Sequence, residues 1–143
     1  MEEQKLRDLF EKALETHNDD SGALFLYSLM DFEFDYDEER ETVHLSAPVT
    51  EIMFNQMGIL HGGIITYIAD TAMGHLVAAF SDKPAVSLEL KTQFLRSAKE
   101  GKIHAHASFL KKGANIHFSE CRLEDDNGRL LANVTATFYT IAE

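Results

Sequence analysis

From Gly62 to Phe80 the sequence is apolar almost without interruption, yet a single carboxylate, Asp70, stands near its middle. A helix that is apolar around its whole circumference is one that protein covers on every side. An ionisable group held there is costly unless it is paired or used. The run approaches the length of a membrane span, but it contains Asp70, His75 and three glycines, and no Lys or Arg flanks its start. A buried core helix is therefore expected, with Asp70 placed for chemistry.

The chain of 143 residues fits one domain, 1–143, long enough for a real core. Its charged start, Met1-Glu2-Glu3-Gln4-Lys5, leads into an amphipathic N-terminal helix over 1–18, with Leu6, Leu9, Phe10, Ala13 and Leu14 at helical spacing. That is no signal peptide, and the one cysteine, Cys121, forms no intrachain disulfide, so a cytoplasmic location is expected. The net charge of −11 argues against general nucleic-acid binding. Within that acidic chain, Lys83 to Lys112 holds seven basic residues against two acids, Glu89 and Glu100. The stretch reads either as solvated strand edges or as a site for a phosphate-bearing ligand tail.

Period-two alternation marks the strands. Met30, Phe32, Phe34 and Tyr36 alternate with acids, and after a turn at 37–40 Val43, Leu45 and Ala47 complete a hairpin. A loop from Pro48 to Leu60 enters the apolar helix, expected over 62–80 and stopped before Pro84. Four strands follow, over 85–95, 102–111, 114–124 and 129–141, the first with Val86, Leu88, Leu90, Thr92 and Phe94 on one face. The class is α+β: an antiparallel sheet of about six strands curled around one buried helix. Glycine-rich phosphate loops, CxxC, HExxH and GxSxG are all missing from the sequence.

Gly62 and Gly63 should open the helix, where free N–H groups and the positive dipole end stabilise a developing oxyanion. Asp70 lies eight residues further on, about 12 Å at about 1.5 Å per residue. If both act on one carbonyl, the carboxylate must come from a second copy whose helix runs alongside in the opposite direction. A two-fold homodimer with composite sites follows.

The segment Asn55-Gln56-Met57-Gly58-Ile59-Leu60-His61-Gly62-Gly63, followed by Asp70-Thr71-Ala72-Met73-Gly74, resembles the hotdog-fold acyl-CoA thioesterases, most closely their PaaI-like branch. Val86-Ser87 and Phe94-Leu95-Arg96-Ser97-Ala98 also look like family segments, with Ser97 where relatives commonly have proline. The resemblance implies a curved sheet around the central helix, a homodimer and often a homotetramer. It implies hydrolysis of an acyl-CoA thioester to free acid and coenzyme A, with no metal or redox cofactor. Aromatic acyl groups of the phenylacetyl or hydroxybenzoyl type are implied first, with medium or long fatty acyl chains as the alternative.

By the same resemblance the Gly62 N–H polarises the thioester carbonyl, and Asp70 from the partner activates water or attacks as a nucleophile. Asn55 and His61 would sit near the carbonyl and the departing sulfur, and Ser87 near the water or Asp70. Gly63, Tyr67, Met73 and Phe54 are candidates for the substrate pocket, and Arg96, Lys111 and Lys112 for the coenzyme A phosphates. His75 is expected to pack in the helix interior, and His104, His106 and His117 to lie at the surface or an interface. A non-catalytic acyl-CoA sensor is the competing reading, although an acidic N-terminal helix is poorly suited to DNA.

Overall fold

A computed structural model describes residues 1–17 and 24–141. The elements are α1 (Glu3–His17), α2 (Phe25–Leu29), β1 (Glu33–Asp37), β2 (Thr42–Pro48), a 3₁₀ turn (Glu51–Met53), α3 (Gly62–Ser81), β3 (Ala85–Phe94), β4 (Lys102–Lys112), β5 (Ile116–Glu124) and β6 (Leu130–Thr140). All six strands join one antiparallel sheet in the order β1-β2-β4-β5-β6-β3. The chain leaves β2, crosses as α3 and re-enters at the far edge as β3, which pairs with β6 rather than with β4. This lays α3 across β2 to β6.

A helical stripe is hidden inside the apolar run. Ile65, Ile68, Ala69, Ala72, Met73, Leu76 and Val77 are buried, at the three-and-four spacing of a single face. They meet Leu45, Ala105, Ala107, Cys121, Val134 and Ala136 of the sheet's inner surface, where the small residues bring helix and sheet close together. Truncating Leu76 to alanine in such a site costs about 2–5 kcal/mol. The helix is long and apolar enough to cross a membrane, and in this fold that hydrophobicity serves its packing on the sheet.

Several expectations need correction. The opposite side of α3, including Thr66, Tyr67, Asp70, Thr71 and Gly74, is only partly covered, and Ala78 and Ala79 are exposed, so one chain does not wrap the helix on every side. Met30 belongs to the end of the unforeseen helix α2, and the hairpin's first strand begins only at Glu33. The N-terminal helix is described to His17, residue 18 lying outside the described residues.

In β3 the register shifts between Ser87 and Glu89, so Leu88 is the extra residue of a β-bulge. Val86 and Leu88 are therefore exposed while Leu90 packs against the core, and the five residues from Val86 to Phe94 do not share one face. His117 is 1% exposed, not at the surface. It faces inward with Ser119, Cys121 and Leu123, because period two carries the core face of β5 through every second residue.

Candidate active site

The loop before α3 is closed on itself. Asn55 Oδ1 accepts from the amides of Met57 at 2.9 Å and Ile59 at 3.4 Å, while the Asn55 amide donates to the Ile59 carbonyl at 2.8 Å. Gly58 supplies the left-handed backbone this turn needs, with φ of 75°. Phe54 and Leu60 then bridge, and the His61 amide donates to the Met53 carbonyl at 2.8 Å. His61 is thereby fixed as the N-cap of α3.

Its ring accepts the Gly63 amide on Nδ1 at 2.8 Å, and its carbonyl accepts from Ile64 and Ile65. Of the four amides at the start of α3, that of Gly62 alone has no acceptor among the described residues. It is a free donor at the positive end of a 20-residue helix. The Phe94 ring lies so close that a Cβ at Gly62 would stand 3.1 Å from it, and one at Gly63 would stand 3.0 Å from His61 Nδ1. A side chain at either position would need the Phe94 or His61 ring to give by a few tenths of an ångström.

Two turns further along, Asp70 opens into a cleft of about 590 Å³ lined by Tyr27, Tyr67, Thr71, Gly74, His75, Ser87 and Phe138, among others. Burial pushes the Asp70 carboxyl above its ordinary pKa, and the Ser87 hydroxyl draws it part of the way back. Ser87 sits at the β3 bulge, the device that aims its side chain at the helix. Thr66 is engaged elsewhere, its hydroxyl 3.1 Å from that of Thr92.

The structure thus groups Asp70, Ser87 and Tyr67 in one cleft. Gly63, His61 and Phe54 line another, of about 310 Å³, with Ile52 and Ile64. Asn55 spends its carbonyl oxygen on the turn. Met73 is fully buried under Ser119, whose hydroxyl is 3.2 Å from its sulfur, and it lines neither cleft.

The three proposed phosphate-binding cations do not converge within a chain. Arg96 donates to the Leu130 carbonyl at 2.9 Å, at the end of the sheet where Leu130 pairs with Glu124 and Glu124 with His104. Lys111 and Lys112 lie at the opposite end of β4, about 25 Å away at about 3.4 Å per residue. Lys112 is also paired with Glu41 at 2.9 Å.

Part of the site carried no expectation from the sequence, and for His75 the expectation of packing in the helix interior is corrected. Tyr27 reaches the cleft from α2, and Phe94 covers Gly62 from β3. His75 faces the cleft rather than the core, 3.2 Å from the Tyr27 hydroxyl through Nε2 and 2.8 Å from the Tyr36 hydroxyl through Nδ1. The available signal was the four-residue spacing Tyr67, Thr71, His75 along α3, one stripe beside Asp70. On the outer face of the sheet His44 Nε2 is 3.0 Å from His104 Nδ1, and His104 Nε2 is 2.8 Å from Asp126. Among the described residues no group of three or more His, Cys, Asp or Glu is arranged to hold a metal ion.

Residues 57–132 match the thioesterase superfamily. A Thermoplasma acidophilum protein with a provisional esterase name is 26% identical over 77% of this chain and 83% of its own. The 1,4-dihydroxy-2-naphthoyl-CoA hydrolase of Escherichia coli is 24% identical over 68% of this chain and 73% of its own. A Bacillus halodurans protein solved with CoA shares the fold, with a TM-score of 0.89 and 24% identity over 99% of this chain and 95% of that one.

Proposed function

This chain belongs to the thioesterase superfamily, a family of thioester hydrolases, and from that premise we propose that it cleaves aromatic acyl-CoA thioesters to the free acid and coenzyme A. The observation that carries the reading is the pair of half-sites on α3, a free amide at Gly62 and a cleft carboxylate at Asp70, separated by about 12 Å of helix.

Each half needs the other from a second copy. The incompletely covered side of α3 is where that copy sits, its own α3 antiparallel, so that one chain's Gly62 meets the other's Asp70. The same copy covers β3, an edge strand with Val86, Leu88 and Phe94 exposed, an arrangement prone to pairing. Two such dimers pair into a tetramer.

In the composite site the carbonyl oxygen accepts from Gly62 N–H, which holds the negative charge as it develops. Asp70 either takes a proton from water as the water adds to the carbonyl carbon, or adds to that carbon itself and is then released by water. The C–S bond breaks in either course, and the sulfur leaves as the thiol of coenzyme A. Arg96, close to the Gly62 end, is the first candidate for a coenzyme A phosphate. An aromatic acyl group suits the Asp70 cleft, whose walls include two tyrosines and a histidine.

The test is release of free thiol from aromatic and straight-chain acyl-CoAs, with wild-type and Asp70→Asn protein side by side. Turnover of aromatic substrates that is lost in the variant supports the reading. Tight binding without turnover makes the protein a sensor, and a preference for straight chains overturns the acyl assignment.

A further inference from the structure

We infer that Tyr27, oriented by His75 and Tyr36, is a specificity-determining residue that donates a hydrogen bond to a hydroxyl or carbonyl oxygen on the distal part of the acyl group. The inference rests on the thioesterase reading and names the feature its acyl cleft selects.

Three observations place a polar group at the far end of this cleft. Tyr27 and His75 line the same cleft as Asp70, and His75 follows Asp70 by five residues, about 7.5 Å along the helix axis. That is roughly the reach from the carboxyl carbon of an aryl or arylacetyl group to a para substituent. The ring of Tyr27 is clamped by Phe32 at 5.6 Å and Phe34 at 5.5 Å between centroids, so its position does not depend on the ligand. Finally, Tyr27, His75 and Tyr36 form a continuous hydrogen-bonded chain from the cleft to the surface.

The direction of that chain decides what Tyr27 can offer. Burial lowers the pKa of His75, so at neutral pH its ring has one N–H and one bare nitrogen. The shorter contact, 2.8 Å, is Tyr36 to Nδ1, as fits a hydroxyl donating to the bare nitrogen. With the tautomer assigned on that basis, Nε2 bears the proton and donates to the Tyr27 oxygen across the longer contact of 3.2 Å. In this arrangement the Tyr27 proton is unspent and turns into the cleft. A ligand without an acceptor there strands that proton in a partly buried site, and this is how a hydrogen-bonding pocket rejects a deoxy analogue.

Binding of two CoA thioethers that cannot be hydrolysed, 4-hydroxyphenacyl-CoA and phenacyl-CoA, tests the inference by titration calorimetry. The wild-type protein should bind the hydroxylated analogue about tenfold tighter, the size of one well-placed hydrogen bond. Tyr27→Phe, which keeps the stacked ring, should bind the two alike, and Tyr36→Phe, outside the cleft, should lose most of the preference. Equal affinity in the wild type, or a preference that survives Tyr27→Phe, overturns the inference. Thiol release from 4-hydroxyphenylacetyl-CoA separates the two readings. Selective binding without release sinks the hydrolase but not the pocket, whereas release without selective binding sinks only the pocket.

Discussion

The ring of His61 accepts the amide of Gly63, two residues on, at 2.8 Å. This bond satisfies the second amide of α3 and leaves the first, on Gly62, without an acceptor among the described residues. A capping interaction and the donor proposed for catalysis therefore share the first turn of one helix. His61→Ala should lower stability by about 0.5–2 kcal/mol, and His61→Asn, a better intrinsic cap, should restore it. Urea denaturation of the three proteins measures this, and an alanine variant as stable as the parent would remove His61 from the cap.

Asp70→Asn should reduce kcat by roughly a hundredfold or more while KM changes little, because the amide keeps shape and polarity but can neither take a proton nor act as a nucleophile. Stability should move the other way. Burial raises the Asp70 pKa, so ionising the carboxyl opposes folding above the ordinary carboxylate range and has no such effect below it. The variant should therefore melt higher than the parent at pH 7, with the gap closing in acid. Melting curves at pH 7 and pH 4 check both signs.

Ser87 acts on the same carboxylate in the opposite sense to burial. Removing its hydroxyl as Ser87→Ala takes away a group that favours the charged form, so the Asp70 pKa should rise further. The acid limb of the kcat/KM profile should shift to higher pH while the plateau rate falls less than in Asp70→Asn. An acid limb that stays in place would mean that Ser87 does not tune Asp70.

His117 is buried in the core, and among the described residues neither of its ring nitrogens has a hydrogen-bond partner. Burial lowers its pKa, so as pH falls through the ordinary imidazole range the unfolded chain takes up a proton that the folded chain resists. Above that range protonation takes nothing from stability, and below it the penalty grows towards acid. His117→Leu should add about 1–3 kcal/mol and flatten the decline of stability between pH 7 and pH 5. Chemical denaturation at several pH values reads both effects.

The half-sites were legible in the sequence because they are local. Two glycines after a capping histidine and a carboxylate eight residues later fix their own separation, whatever packs around them. What escaped is tertiary or depends on a single inserted residue. Val86, Leu88 and Leu90 alternate without a visible break, yet the bulge at Leu88 turns the strand over. In β5 the apolar Ile116 and Phe118 face outward and His117 and Ser119 inward, since Cys121 and Leu123 set the register and period two does the rest. Tyr27 escaped because α2 is only five residues long and its approach to His75 of α3 is tertiary. The basic stretch looked like one patch in sequence, and the sheet placed Arg96 and Lys112 at opposite ends.

The span of α3 between Gly62 and Asp70 also means that, in the proposed dimer, damage to the two halves is inherited separately. A chain with Asp70→Asn keeps a sound amide, and a chain with a bulky residue at Gly62 keeps a sound carboxylate. Each alone makes dimers with two dead sites. Unfolded and refolded together, the two mutants should recover activity through mixed dimers in which one site is wholly defective and the other wholly intact.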